Sequence, residues 1–112
     1  MKIAIPVANG ILCPHFGHCE NFAIINADPE KKSILSTELA EPPPHEPGLL
    51  PKWLAEMGVE LVIAGGMGAR AQDLFAAAKV QTIVGAEMDK PGNIVMKYFA
   101  RTLETGPNRC DH

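Results

Sequence analysis

Two thiols and two imidazoles fall inside one short run, Cys13-Pro14-His15-Phe16-Gly17-His18-Cys19-Glu20. The chain has three cysteines and four histidines in all, so half or more of each is concentrated here. Thiolate and imidazole are the side chains that bind softer transition metals and iron–sulfur centres. The spacing is not Cys-x-x-Cys, so it encodes neither a dithiol redox pair nor a standard zinc finger. The plain alternative for His15 and His18 is a pair of loop-packing histidines. Phe16 is expected to anchor the loop to the core.

Three further stretches bear on this chemistry. His45 stands inside Glu41-Pro42-Pro43-Pro44-His45-Glu46-Pro47-Gly48, a stiff extended connector because proline lacks the backbone donor. A rigid segment of that kind can hold a ligand in place. Cys110-Asp111-His112 ends the chain. It is either a frayed tail or a weaker supplementary set of ligands, for this site or for a neighbouring subunit. Gly65-Gly66-Met67-Gly68 precedes a predicted helix. Its plain reading is a tight turn with positive φ angles. A glycine turn opening a helix also exposes unpartnered N–H groups at the positive end of the dipole, which suits an anion. Arg70 either adds charge there or faces solvent. No Lys-Ser/Thr follows, so this is not a Walker A loop.

The elements that must position these residues follow from periodicity. Residues 2–7, rich in isoleucine and valine, form a first strand buried on both faces, ended by the turn signal Ala8-Asn9-Gly10. Residues 21–26 form a second strand, 27–31 a hairpin connection, and 32–37 a more polar third strand at an edge. A helix starts near Leu50 or Pro51, with Leu50, Trp53, Leu54 and Met57 as its apolar stripe and Gly58 as its cap. Residues 61–64 are a fourth strand. The next helix spans 69–78, with Ala71, Leu74, Phe75 and Ala78 on its apolar face. Residues 80–84 are a fifth strand. Asp89-Lys90-Pro91 opens a last helix carrying Val95, Tyr98, Phe99 and Leu103, and 104–112 reads as irregular.

The order β-β-β-α-β-α-β-α predicts one α/β domain over residues 1–112, with three helices on a mixed five-stranded sheet. Right-handed crossovers give the strand order 3-2-1-4-5, with strand two antiparallel, as in a small ribonuclease-H-like domain. Strands one and four then end on the same rim. The Cys/His loop and the glycine loop meet there, at a switch point of the sheet, and the proline-rich segment leaves from the same rim. The last helix ends on the opposite rim, so the tail has to run back to reach the site.

Composition excludes several classes. The 112-residue chain is 46% hydrophobic and 21% charged, with formal net charge −3. It lacks a basic run, and one Trp and one Tyr give little for base stacking, so nucleic-acid binding has no footprint. No apolar run has membrane-spanning length, and the N-terminus lacks a signal-peptide core. An odd cysteine count without an export signal points to reduced thiols in the cytoplasm.

The chain resembles the dinitrogenase iron–molybdenum cofactor biosynthesis family, seen alone in NifX-like proteins and at the C-terminus of NifB-like ones. The residues carrying the resemblance are 1–7 leading to His15-Phe16-Gly17-His18, Phe22 with its strand, and Val62-Ile63-Ala64-Gly65-Gly66-Met67-Gly68. The 42–51 segment and the Cys110-Asp111-His112 ending look like a stand-alone subgroup. The resemblance implies a ribonuclease-H-like fold and a role in binding or carrying an anionic metal–sulfur cluster, iron–sulfur or molybdenum-containing. Nuclease chemistry needs carboxylates on strand ends to hold paired divalent metals, and strands one, two, four and five carry none in their cores.

The expectation is a non-enzymatic cluster carrier or scaffold. Cys13, His15, His18, Cys19 and His45 are its candidate metal ligands, with Cys110 and His112 weaker ones. Gly65, Gly66, Met67, Gly68 and Arg70 form its anion-binding wall. Cluster-assembly or acceptor proteins, a cluster-handling ATPase among them, are the expected partners. The alternatives are an adaptor domain of such an ATPase system that binds a small anion or a protein partner, and a simple transition-metal-binding protein.

Overall fold

Alternation along the first strand sets both faces of the sheet, since successive side chains in a strand point to opposite sides. In β1, Lys2–Ala8, Ile3, Ile5 and Val7 join one buried cluster while Ala4 joins the other. The computed structural model describes residues 1–44, 46 and 48–106, and of His18 the backbone alone. β1 turns directly into a two-residue strand, β2 (Ile11–Leu12), pairing Val7 with Leu12 and Ala8 with Ile11. Asn9 at φ 55° and Gly10 at φ 81° give both turn residues the left-handed backbone that an Asn-Gly hairpin favours. The sequence reading ends a strand here and passes over the hairpin.

β3 (Asn21–Asp28) pairs antiparallel with β1, and β4 (Ser33–Ala40) pairs antiparallel with β3 as the edge strand. β5 (Leu61–Ile63) and β6 (Gln81–Ile83) continue the other side in parallel. The path β4-β3-β1-β5-β6 is the expected mixed order, with β2 as an addition. Three helices complete the fold: α1 (Leu49–Glu56), α2 (Ala69–Ala77) and α3 (Pro91–Ala100).

Leu54 of α1 and Phe75 of α2 are buried with Ala4, Phe22 and Val62 on one face. Ile94, Val95 and Phe99 of α3 cover Ile3, Ile5 and Ile25 on the other. The apolar stripe expected for the second helix is narrower than its pattern. Phe75 is fully buried, but Leu74 is 36% exposed and Ala78 is exposed. Leu74 leans toward the start of α1 instead, with its Cδ1 3.6 Å from where a Cβ on Gly48 would stand.

α3 ends at Arg101, in left-handed backbone at φ 60°, beside Met1 at the rim where β1 begins. The chain then returns toward the opposite rim. Thr105 bridges Ala86, and the Gly106 N–H donates to the Gly85 carbonyl at 2.7 Å. Part of the stretch read as irregular is therefore paired to Gly85 and Ala86, just past the end of β6.

Candidate functional site

The β1–β2 hairpin fixes where the Cys/His loop begins. The Leu12 N–H donates to the Asp89 carbonyl at 2.9 Å, and the Cys13 N–H to the Pro6 carbonyl at 2.8 Å. The far end is tied as well: the Glu20 N–H donates to the Val7 carbonyl at 3.0 Å, and Glu20 Oε1 accepts from the Asn9 N–H at 2.7 Å. Both ends of residues 13–20 are thus fastened to the end of β1. Between them runs a single 3-10 turn, Phe16–His18. Phe16 is 5% exposed and packs edge-to-face on Phe22 and Phe75, at centroid distances of 5.5 and 5.6 Å. Such aromatic pairs add specific geometry to apolar burial, which makes Phe16 the loop anchor its sequence position suggests.

The glycine loop lies against this loop. The Phe16 N–H donates to the Gly66 carbonyl at 3.0 Å. A Cβ on Gly65 would stand 3.0 Å from Leu12 Cδ2 and 3.2 Å from the Pro14 Cα. The glycine there serves close approach of two backbones. It does not serve a left-handed turn: the positive-φ glycines among the described residues are Gly10, Gly48, Gly58 and Gly85, and Gly68 is extended at φ −66°, ψ 154°. That corrects the tight-turn reading of the loop. Met67 is fully buried, and its carbonyl accepts from Gln72 Nε2 at 3.0 Å.

The two loops therefore touch at Phe16–Gly66 and at Gly65–Pro14. The space opens on their outer side. A cleft of about 240 Å³ is lined by Phe16, Gly17, Glu46, Leu50, Gly68, Arg70 and Leu74, among others. A smaller one of about 160 Å³ is lined by Gly17, Cys19, Pro42, Pro43 and Leu50. Gly17 and Leu50 border both. The proline-rich segment thus walls the side where Cys19 lies, and the start of α2 walls the side where Arg70 lies. Sequence reasoning missed Gly17 and Leu50 as lining residues, because an apolar helix residue beside a glycine turn carries no signal of its own.

The candidate donors differ in access. Cys13 is 5% exposed, and its thiol donates to the His15 carbonyl at 3.3 Å. Cys19 is half-buried and His15 exposed. Burial pushes the Cys19 thiol up to about 11, the nearby Cys13 adds to the rise, and a backbone hydrogen bond opposes it. At neutral pH Cys19 is thus a protonated thiol that a soft metal ion would have to deprotonate. The His18 side chain, His45, Cys110 and His112 lie outside the described residues. Among the described residues, no three His, Cys, Asp or Glu side chains form a group that could hold a metal ion, and no helix is long and apolar enough to cross a membrane.

A sheet ordered in this way, with two loops joined at the ends of β1 and β5, defines a class of small α/β domain. Residues 1–101 match the model of the family described as dinitrogenase iron-molybdenum cofactor, and the chain belongs to that family. The uncharacterized protein MJ0580 of Methanocaldococcus jannaschii is 38% identical over 79 residues, which span 67% of this chain and 66% of that relative's length. The crystal structure of PH0822 superposes with a TM-score of 0.88 at 21% identity, covering 97% of each chain. The apo form of the orange protein from Desulfovibrio gigas superposes with a TM-score of 0.72 at 19% identity, covering 96% of this chain and 93% of that one. At such identities the structural likenesses establish the fold alone.

Proposed function

We propose that this protein binds and carries, or helps assemble, an anionic metal–sulfur cluster as cargo, without catalysing a reaction. The observation that carries the reading is the seal between the Cys/His loop and the glycine loop, through the Phe16 N–H and the Gly66 carbonyl. It holds the loop that carries the thiols against the loop that leads into α2. Thiols suit the metal of such a cargo. The first amides of α2, which have no intrahelical partner, and the Arg70 guanidinium suit its negative charge. Cys13, His15, His18, Cys19 and His45 are the proposed ligands. Gly68 and Arg70 are the parts of the glycine-loop wall that line the larger cleft, while Gly65 and Gly66 pack against the Cys/His loop and Met67 is buried in the core. A carrier has to release its cargo, so few ligands with supporting hydrogen bonds serve it better than a closed four-cysteine cage. Cluster-assembly or acceptor proteins in a reducing cytoplasm are the partners this role requires.

One observation favours a second reading. The larger cleft borders Arg70 but neither described thiol, as an adaptor binding a small anion or a partner segment would have it. Purification without oxygen, followed by metal and acid-labile sulfide analysis, separates the readings. Iron or molybdenum together with sulfide supports the carrier. Bare metal without sulfide supports simple metal binding, and a colourless protein that takes up neither supports the adaptor.

A further inference from the structure

Among the described residues, three cations hold left-handed backbone: Lys32 at φ 53°, Lys79 at φ 63° and Arg101 at φ 60°. A side chain is strained there, and glycine would relieve the strain. Lys79 and Arg101 follow the ends of α2 and α3, where a cation offsets the negative end of the helix dipole. Lys32 follows no helix. It closes the turn between β3 and β4, in which Asp28 Oδ1 accepts from the Glu30 and Lys31 N–H groups at 3.0 and 3.2 Å. That turn gives no reason of its own for a lysine where glycine would be unstrained.

Lys32 and Arg101, distant in sequence, border one cavity of about 560 Å³, together with Met1, Pro29, Tyr98 and Phe99. A volume of that size suits a small ligand. Both cations are exposed, and neither has an ion pair among the described residues. Tyr98 is half-buried, with its ring 5.7 Å from that of Phe99, so one wall is aromatic. The cavity lies at the rim where β1 begins, whereas the Cys/His loop follows the end of β1.

We propose that this cavity binds a small organic anion, with its phosphate or carboxylate group held by Lys32 and Arg101 and its apolar body laid against Tyr98. A guanidinium matches the paired oxygens of either group, and an ammonium adds a compact charge beside it. The aromatic wall supplies apolar contact. The left-handed lysine and arginine are then kept for their charge, at a cost in backbone strain of the kind that collects at functional sites. The site is separate from the proposed cluster site and does not depend on it.

The test follows backbone amide NMR signals of the full chain during titration with phenyl phosphate, benzoate and inorganic phosphate. Phenyl phosphate or benzoate is expected to give saturable shifts at Lys32, Tyr98 and Arg101, and the tighter of the two identifies the anionic group. Inorganic phosphate should bind more weakly, because it leaves the ring unused; equal affinity overturns the apolar half of the assignment. Lys32→Gly and Arg101→Gly should each raise the melting temperature while weakening binding at least about tenfold, the scale of losing a charge-assisted hydrogen bond. Lys79→Gly is the control: its backbone strain is alike but it does not border the cavity, so it should raise the melting temperature and leave binding unchanged. Wild-type affinity in the Lys32→Gly/Arg101→Gly double variant, an equal loss in Lys79→Gly, or a wild-type chain with no saturable shift overturns the site. A lower melting temperature in Lys32→Gly shows that the turn itself needs the lysine and removes the reason for assigning it to a ligand.

Discussion

The Phe16 backbone N–H donates to the Gly66 carbonyl at 3.0 Å, joining two loops that lie 50 residues apart in sequence. Phe16 can make that bond because its ring is fixed between Phe22 and Phe75. Removing the ring removes both the packing and the loop's alignment. Phe16→Ala is expected to destabilise the fold by about 3–5 kcal/mol, the usual range for deleting a buried aromatic. Denaturant midpoints measure it. A change below about 1 kcal/mol would mean that the loop is held by other contacts.

Gly65 tests the seal from the other side. Its missing Cβ leaves 3.2 Å to the Pro14 Cα, a backbone atom with little room to yield. Gly65→Val is expected to cost about 1–3 kcal/mol through overpacking and to weaken cargo uptake. Gly17→Ala is the matched comparison. Nothing lies within 4 Å of its Cβ position, so its stability should stay within about 0.5 kcal/mol of wild type.

Asp89 links the start of α3 to the hairpin. Its carbonyl accepts from Leu12, while its carboxylate accepts from Asn93, from the Lys90 N–H and from Lys97. Those hydrogen bonds, Asn93 first, hold its carboxyl down to about 2. A carboxyl lowered on folding stabilises the protein above its unfolded value near 4, and that contribution is lost as pH falls through 2. Asp89→Asn should therefore lower stability at pH 6 and flatten the decline between pH 4 and 2. Thermal melts across that range show it, and parallel curves for the two proteins would remove Asp89 as the cause.

Cys19 has the opposite sign. Burial raises its thiol to about 11, above the unfolded value near 8.5, so its contribution to stability is full below that value and is lost as pH rises toward 11. In the metal-free protein its alkylation should stay slow at pH 7 and keep rising past pH 9, because the thiolate is the nucleophile. Peptide-resolved mass spectrometry of the alkylated chain follows it. A rate that levels off near pH 8 would show an unshifted thiol.

The sheet order was legible in the sequence because β1, β3 and β5 are apolar enough to be central, and because Gly58 and Pro91 punctuate helices. The β1–β2 hairpin was written in Asn9-Gly10, yet two residues of β2 are too few to show a period. The exposure of Leu74 was not legible, since it depends on how closely α1 approaches at Gly48. Of the site, the meeting of the two loops followed from topology. The close approach of Gly65 to Pro14 did not, because it depends on backbone paths that no local pattern specifies. The seat of Gly106 on Gly85 is likewise a pairing of distant glycines, invisible until the chain is folded.

The central claim is that the Cys/His loop binds a metal–sulfur cluster as cargo. The most direct measurement is anaerobic reconstitution with ferrous iron and sulfide, comparing bound iron and acid-labile sulfide in the wild-type chain and in Cys13→Ser/Cys19→Ser. The account predicts iron and sulfide retained together by the wild-type chain after gel filtration, and lost from the double variant while its thermal melt still shows a folded protein. Equal retention by the two proteins, or iron retained without sulfide, would contradict it.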